Sequence, residues 1–262
     1  MKKLTVYIFT VFLLLISTET FAWGTTGHRV VAEIAENHLS CKAKRKIKKI
    51  IGNQKLAYWA NWPDFIKSNP DWKTADSWHY LNFPSGLDKN SFEKSLNNST
   101  DENLYKRVLL ITDELKNKNL SLEKKQQDLY FLIHLIGDAH QPLHLGREED
   151  LGGNNIQIEW FRESTNLHSL WDTKLVDFQN YSYTEFAEVL DFHDKKFNKN
   201  LTQGNLNDWL FDSYQKSEII YSHVKPGDKL WYNYNYDNVS ILEEQLLKGG
   251  LRLAKILNEI FK

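Results

Sequence analysis

A chain of 262 residues carrying 33 basic and 34 acidic side chains shows no polybasic face for gripping a polyanion, and its single cysteine, Cys41, excludes an intramolecular disulfide. Any site for a phosphate-bearing ligand must draw its positive charge from elsewhere, and a bound metal could supply it. The surroundings of Cys41 suggest an inert buried or half-buried thiol.

The amino terminus opens with Lys2-Lys3, continues with an apolar run from Leu4 to Ile16, and ends in Thr20-Phe21-Ala22. This reads as a secretory signal peptide over residues 1–22, because the apolar run is shorter than the ~20 residues of a spanning helix. Cleavage before Trp23 leaves a free α-amine there and 240 residues, expected to form one domain over 23–262. Without Lys2, Lys3 and Glu19 the net charge is −2. The expected destination is the periplasm or the medium, with no stable membrane anchor and a monomeric state.

Helical spacing of apolar residues dominates the chain beyond Trp23. Val30, Val31, Ile34, Ala35 and His38 define a first helix, and Leu104–Leu115 a second. Pro63 suits a first helical turn that leaves Asp64 at a helix start. Leu129, Ile133, Ile136 and Leu143 surround a segment that Pro142 should end or kink close to Gln141. Alternation over Asn155–Phe161, entered through Gly152-Gly153, predicts a short edge hairpin. Leu206–Tyr221 and Ile241–Ile260 complete a mainly helical, all-α chain.

Two H-x-x-x-D pairs, His134/Asp138 and His168/Asp172, bracket His144. On an α-helix, residues four apart are rotated by about 40° and separated by roughly 6 Å along the axis, so each pair points an imidazole and a carboxylate at one spot. One such pair is commonly a surface contact. Two pairs with a third histidine between them indicate a metal site, and imidazole with carboxylate favours zinc. His140, rotated some 200° from Asp138, is expected to pack rather than ligate. His38, His193 and His223 are expected in solvated or capping roles. Taken alone, Asp64 and His79 read as a helix cap and a packed histidine.

The order of Trp23-Gly24-x-x-Gly27-His28, Trp62-x-Asp64, Trp78-His79-Tyr80, His134-x-x-x-Asp138-x-x-Gln141-Pro142-Leu143-His144, Gly152-Gly153-Asn154 and Asn166-Leu167-His168-x-x-Trp171-Asp172 resembles the secreted, zinc-dependent, single-strand-specific nucleases and 3′-nucleotidases of the S1/P1 type. The resemblance spans the whole of 23–262 and implies a mostly helical fold shared with the zinc-dependent phospholipases C. It implies three zinc ions: one on Asp64, His79, His134 and Asp138; one on Trp23, through amine and carbonyl, with His28 and the bridging Asp138; and one on His144, His168 and Asp172. It further implies that Asp64, Lys67 and Asn154 serve catalysis, with Lys67 on the phosphate, that Tyr80 stacks on a base, and that Asn82 and Asn154 contact substrate. The expected substrates are single-stranded RNA, single-stranded DNA and 3′-nucleotides. Asn82 stands where many members have aspartate, so base preference does not transfer. The competing readings are a phospholipase C on the same scaffold and a non-catalytic zinc-binding protein.

Overall fold

Val30, Val31, Ile34 and Ala35 fall on one face of α1 (Thr25–Asn37), and that face is buried in the computed structural model, which describes residues 23–100 and 102–262. The proposed signal segment, residues 1–22, lies outside the described residues. Next come α2 (Cys41–Ile51), α3 (Leu56–Trp59) and α4 (Trp62–Phe65), then a 3₁₀ stretch (Pro70–His79), α5 (Lys89–Asn98), α6 (Leu104–Glu114) and α7 (Leu122–Asp138). A 3₁₀ turn (Pro142–Leu145) leads to β1 (Gln157–Trp160), β2 (Glu163–Asn166), α8 (Leu167–Ser169), a π turn (Leu170–Lys174), α9 (Leu175–Phe178), α10 (Tyr183–Leu190) and α11 (Lys195–Leu201). α12 (Leu206–Ser222), β3 (Lys229–Leu230) and α13 (Tyr232–Ile260) close the chain.

The architecture is mainly helical, as expected, with α1 packed between α13, α10, α3 and α7. A Cβ added to Gly250 would come 2.5 Å from Ile34 Cβ, so glycine lets α13 cross α1 this closely. α7 differs from the amphipathic helices around it. Ser121 caps its start, and every residue from Asp128 to Asp138 is buried, so its carboxyl-terminal half runs through the core. Pro142 has no N–H and holds Gln141 extended, and α7 ends three residues before Gln141. Among the described residues no helix is long and apolar enough to cross a membrane.

Three expectations need correction. The hairpin acquires a third strand, because β3 pairs parallel with β1, matching Glu159 to Lys229 and Trp160 to Leu230. The last helix begins at Tyr232, well before Ile241, because Tyr234 and Asn238 extend its buried face. Cys41 is exposed: it is the first residue of α2, on the lysine-rich side, while Ala43, Ile47, Ile50 and Ile51 turn inward.

Candidate functional site

Seven elements deliver eight buried chelating side chains to one region: His28 from α1, Asp64 from α4, His79 at the end of the first 3₁₀ stretch, His134 and Asp138 from α7, His144 from the 3₁₀ turn after it, His168 from α8 and Asp172 from the π turn. Asp138 is central. Its Oδ1 is 3.4 Å from His28 Nε2, and its Oδ2 is 3.0 Å from His79 Nδ1 and 3.3 Å from His134 Nε2. Asp64 Oδ1 is 3.7 Å from His134 Nε2, and the His28 and His134 rings stack at 3.8 Å. A second group lies alongside, with His168 Nε2 3.2 Å from Asp172 Oδ2 and His144 Nε2 3.7 Å from Asp172 Oδ1. Three sets have ligand atoms within 4.8 Å of one another: His28, Asp64 and His134; His79, His134 and Asp138; His144, His168 and Asp172. His28 therefore adjoins Asp64 and His134 as well as Asp138, the partner the resemblance gives it.

The second pair does not sit on a regular α-helix. His168 is in α8 and Asp172 in the π turn beyond it, so the wider turn sets how the two side chains converge. Close packing sets His28. A Cβ on Gly137 would lie 2.6 Å from His28 Nδ1, so the α7 backbone leaves room for that ring only because residue 137 is glycine. Trp23 is wholly buried beside Gly27, and Gly24 N–H donates to the Asp172 carbonyl, which ties the start of the described chain to the site.

Hydrogen bonding decides which ring nitrogens are bare. The Nδ1 atoms of His134, His144 and His168 face the carbonyls of Ala60, His79 and Gly152 at 2.8, 2.6 and 2.7 Å. A carbonyl only accepts, so each Nδ1 carries the proton and each Nε2 presents a lone pair. The lone pairs of His144 and His168 point at carboxylate oxygens, an arrangement that repels unless a proton or a cation stands between, while that of His134 faces Asp138 Oδ2 and also has His79 Nδ1 as a hydrogen-bond partner at 3.0 Å. The two nitrogens of His28, His79 Nε2, Asp138 Oδ1 and His144 Nε2 are buried without hydrogen-bond partners. Buried, convergent and unpartnered nitrogen and oxygen donors are what a divalent cation requires, so the residues fit metal ions.

Burial holds the imidazoles neutral: His134 and His144 are pushed down to about 4, and His28, His79 and His168 are also lowered. Burial acts oppositely on the acids, raising Asp138 well above the carboxylate range and Asp172 to about 7. In the metal-free protein the raised Asp172 favours the fold at low pH and loses that contribution as pH rises through about 7. His134 and His144 favour it above 6.5 and lose theirs as pH falls toward 4. A metal ion thus competes with protons on carboxylates rather than on imidazoles. Calorimetric titration of chelator-stripped protein with zinc, in buffers of different ionisation enthalpy, should show more proton release at pH 6 than at pH 8. Equal release at both would separate Asp172 from metal binding.

The cluster meets a cavity of about 800 Å³ through His79, His144 and His168, which line it. Lys67, Tyr80, Asn82 and Asn154 all line it, so the four residues assigned to substrate are brought together at one mouth. Lys67 Nζ is 2.6 Å from Asp64 Oδ1, Tyr80 is 45% exposed, and Asn82 and Asn154 each keep a buried, unpartnered Oδ1. His140 packs, as expected: its Nδ1 donates to the Ile136 carbonyl and Arg252 donates to its Nε2 at 2.9 Å.

Two parts of the site went unrecognised in the sequence. The cavity's lining also includes Gln157, Ser164 and Thr165 from the hairpin, and only the strand alternation hinted at them. The loop before Asn154 is pinned from far along the chain, since Asp150 Oδ1 accepts from both Gly153 N–H and Tyr221 O–H. Nothing local in the sequence marks Tyr221.

The S1/P1 Nuclease family model matches residues 23–262. Among characterised proteins, the chain is 31% identical to Nuclease S1 of Aspergillus oryzae, with 92% of each chain covered. It is 30% identical to Endonuclease 4 of Arabidopsis thaliana, over 91% of this chain and 89% of that protein, and 27% identical to Nuclease P1 of Penicillium citrinum, over 91% and 97%.

Proposed function

This chain belongs to the S1/P1 nuclease family, and from that premise we propose that it is a zinc-dependent phosphodiesterase cleaving single-stranded RNA and DNA to 5′-mononucleotides and removing 3′-phosphates from nucleotides. One observation carries the reading: a buried His/Asp cluster with bare nitrogen lone pairs opens directly onto a cleft holding a lysine, an exposed tyrosine and two asparagines. Asp64, His79, His134 and Asp138 would hold one zinc ion; Trp23, His28 and Asp138 a second; His144, His168 and Asp172 a third. When bound, these ions supply Lewis-acid charge to the phosphodiester and make water a competent nucleophile near neutral pH.

The chain's own groups do the rest. Lys67 supplies a cation to phosphate oxygens beside Asp64. Tyr80 offers a ring on which an unpaired base stacks, which is tolerant of base identity and excludes a base held in a duplex. Asn154 donates its Nδ2–H to the Leu151 carbonyl at 2.8 Å, so its unpartnered Oδ1 is fixed in direction and orients substrate donors, with Asn82 beside it. The neutral imidazoles keep protons off the nitrogen ligands. Amide and hydroxyl groups on the cavity wall suit nucleosides better than acyl chains, which supports nuclease over phospholipase. We read residues 1–22 as an export signal and 23–262 as the catalytic domain of a monomeric periplasmic or secreted enzyme; the family match beginning at residue 23 supports that division.

Zinc-loaded protein beginning at Trp23 should release 5′-mononucleotides from single-stranded RNA and DNA roughly 10- to 100-fold faster than from duplexes, the range a stacked base supports. Faster release of phosphocholine from lecithin would favour the phospholipase. No release of either with zinc bound would favour a non-catalytic zinc protein.

A further inference from the structure

Gln141 is wholly buried and stands where three ligand-bearing segments meet. Its Oε1 accepts from Leu143 N–H at 2.6 Å, and its Nε2 donates to Asp172 Oδ1 at 2.5 Å. The Leu143 N–H fixes the orientation of the amide, since an N–H only donates and so meets the amide oxygen, which leaves the nitrogen to donate to Asp172. Pro142 supplies no N–H, so the first donor available to Gln141 after α7 is that of Leu143, inside the 3₁₀ turn that presents His144. One side chain thus joins the end of α7 to the turn bearing His144 and to the carboxylate of Asp172.

The main chain of Asp172 is held as well, its carbonyl accepting from Gly24 N–H, while its Oδ2 stands 3.2 Å from the bare Nε2 of His168 and its Oδ1 3.7 Å from that of His144. The hydrogen bond from Gln141 to Oδ1 fixes the remaining rotation of the carboxylate, and the plane of the group then aims Oδ2 toward His168.

We propose that Gln141 is a positioning residue for the group formed by His144, His168 and Asp172. Its donor end sets the carboxylate of Asp172 and its acceptor end locks the turn that presents His144. The inference rests on the metal-binding reading of that group. An amide is the chemistry required: glutamate would set two carboxylates against each other, and methionine would fill the space while leaving both the Leu143 N–H and Asp172 Oδ1 unpartnered.

The test is zinc content and zinc affinity of Gln141→Glu and Gln141→Met, measured by metal analysis after equilibration against graded concentrations of a chelator. One zinc ion should be lost at a chelator strength about 10- to 100-fold weaker than in the wild type, the usual cost of removing a hydrogen bond to a metal ligand, with the other ions retained. His168→Ala identifies which ion is lost, and adding Gln141→Glu to that variant should lower the zinc content no further. Wild-type affinity at every ion in the Gln141 variants, or equal weakening of all of them, overturns the positioning role. A wild-type protein that takes up no zinc overturns the metal reading itself, so the two failures are distinguishable.

Discussion

Substituting Asp138 with asparagine should lower kcat/KM on single-stranded RNA by roughly a thousandfold or more, the largest effect expected of any single substitution. The two oxygens of Asp138 lie within 3.4 Å of three histidines, so its loss dismantles two of the proposed metal positions together. Lewis-acid stabilisation of a transition state amounts to several kcal/mol, and about 1.4 kcal/mol corresponds to a factor of ten in rate. Asparagine has nearly the same shape but only one acceptor oxygen and no charge. The physical state of Asp138 makes the experiment clean. Burial raises its pKa well above the usual range, so the metal-free fold gains nothing from its charge and the metal-free variant should unfold at nearly the same temperature. Zinc should separate the two proteins. At a thousand times the dissociation constant, ligation stabilises by about 4 kcal/mol, a rise of roughly 10 °C in Tm at this size. The variant should lack most of that rise. A variant that keeps both the zinc-dependent rise and the hydrolytic rate would remove Asp138 from the site.

The legible part of this molecule was its ligand chemistry, and the reason is the regularity of α7. His134 and Asp138 share a face of a helix that is buried through its last three turns, so their spacing translates directly into proximity. His168 and Asp172 have the same spacing but lie across an α-to-π boundary, which sequence periodicity does not mark. Gln141 was visible as part of a motif, yet its role depends on a partner thirty-one residues away and on a missing proline N–H. β3 was invisible for a different reason: two residues are too few to show alternation, and they pair with β1 where Trp160 meets Tyr234 at the start of α13. Cys41 shows the opposite error, since its helical, alanine- and lysine-rich surroundings suggest a buried or half-buried thiol while its place ahead of the apolar face of α2 sets it outside.

One added residue ahead of Trp23 should remove one zinc ion and most of the activity, with the metal-free fold unchanged. The main chain here is sequestered at the site: Trp23 is fully buried, a Cβ on Gly137 would lie 3.7 Å from its Cδ1, and Gly24 N–H is bound to the Asp172 carbonyl. His28, the side chain proposed to share that metal, has both ring nitrogens buried without partners, so a ligand set built on it needs further donors from nearby. A terminal amine titrates near 8 and offers a lone pair once deprotonated. An amide nitrogen offers none, because its lone pair is delocalised into the carbonyl. Lengthening the chain by one residue therefore changes one atom's chemistry while every side chain stays in place. The comparison pairs protein beginning at Trp23 with protein carrying one extra alanine, both loaded with zinc. The extended form should bind one fewer zinc ion, or bind it more than about 100-fold more weakly, since a direct ligand matters at least as much as its hydrogen-bond partners. Matching metal-free melting temperatures would assign the loss to coordination rather than misfolding. Equal zinc content and equal rates in the two forms would exclude the amine as a ligand and leave His28 and Asp138 to hold that position without it.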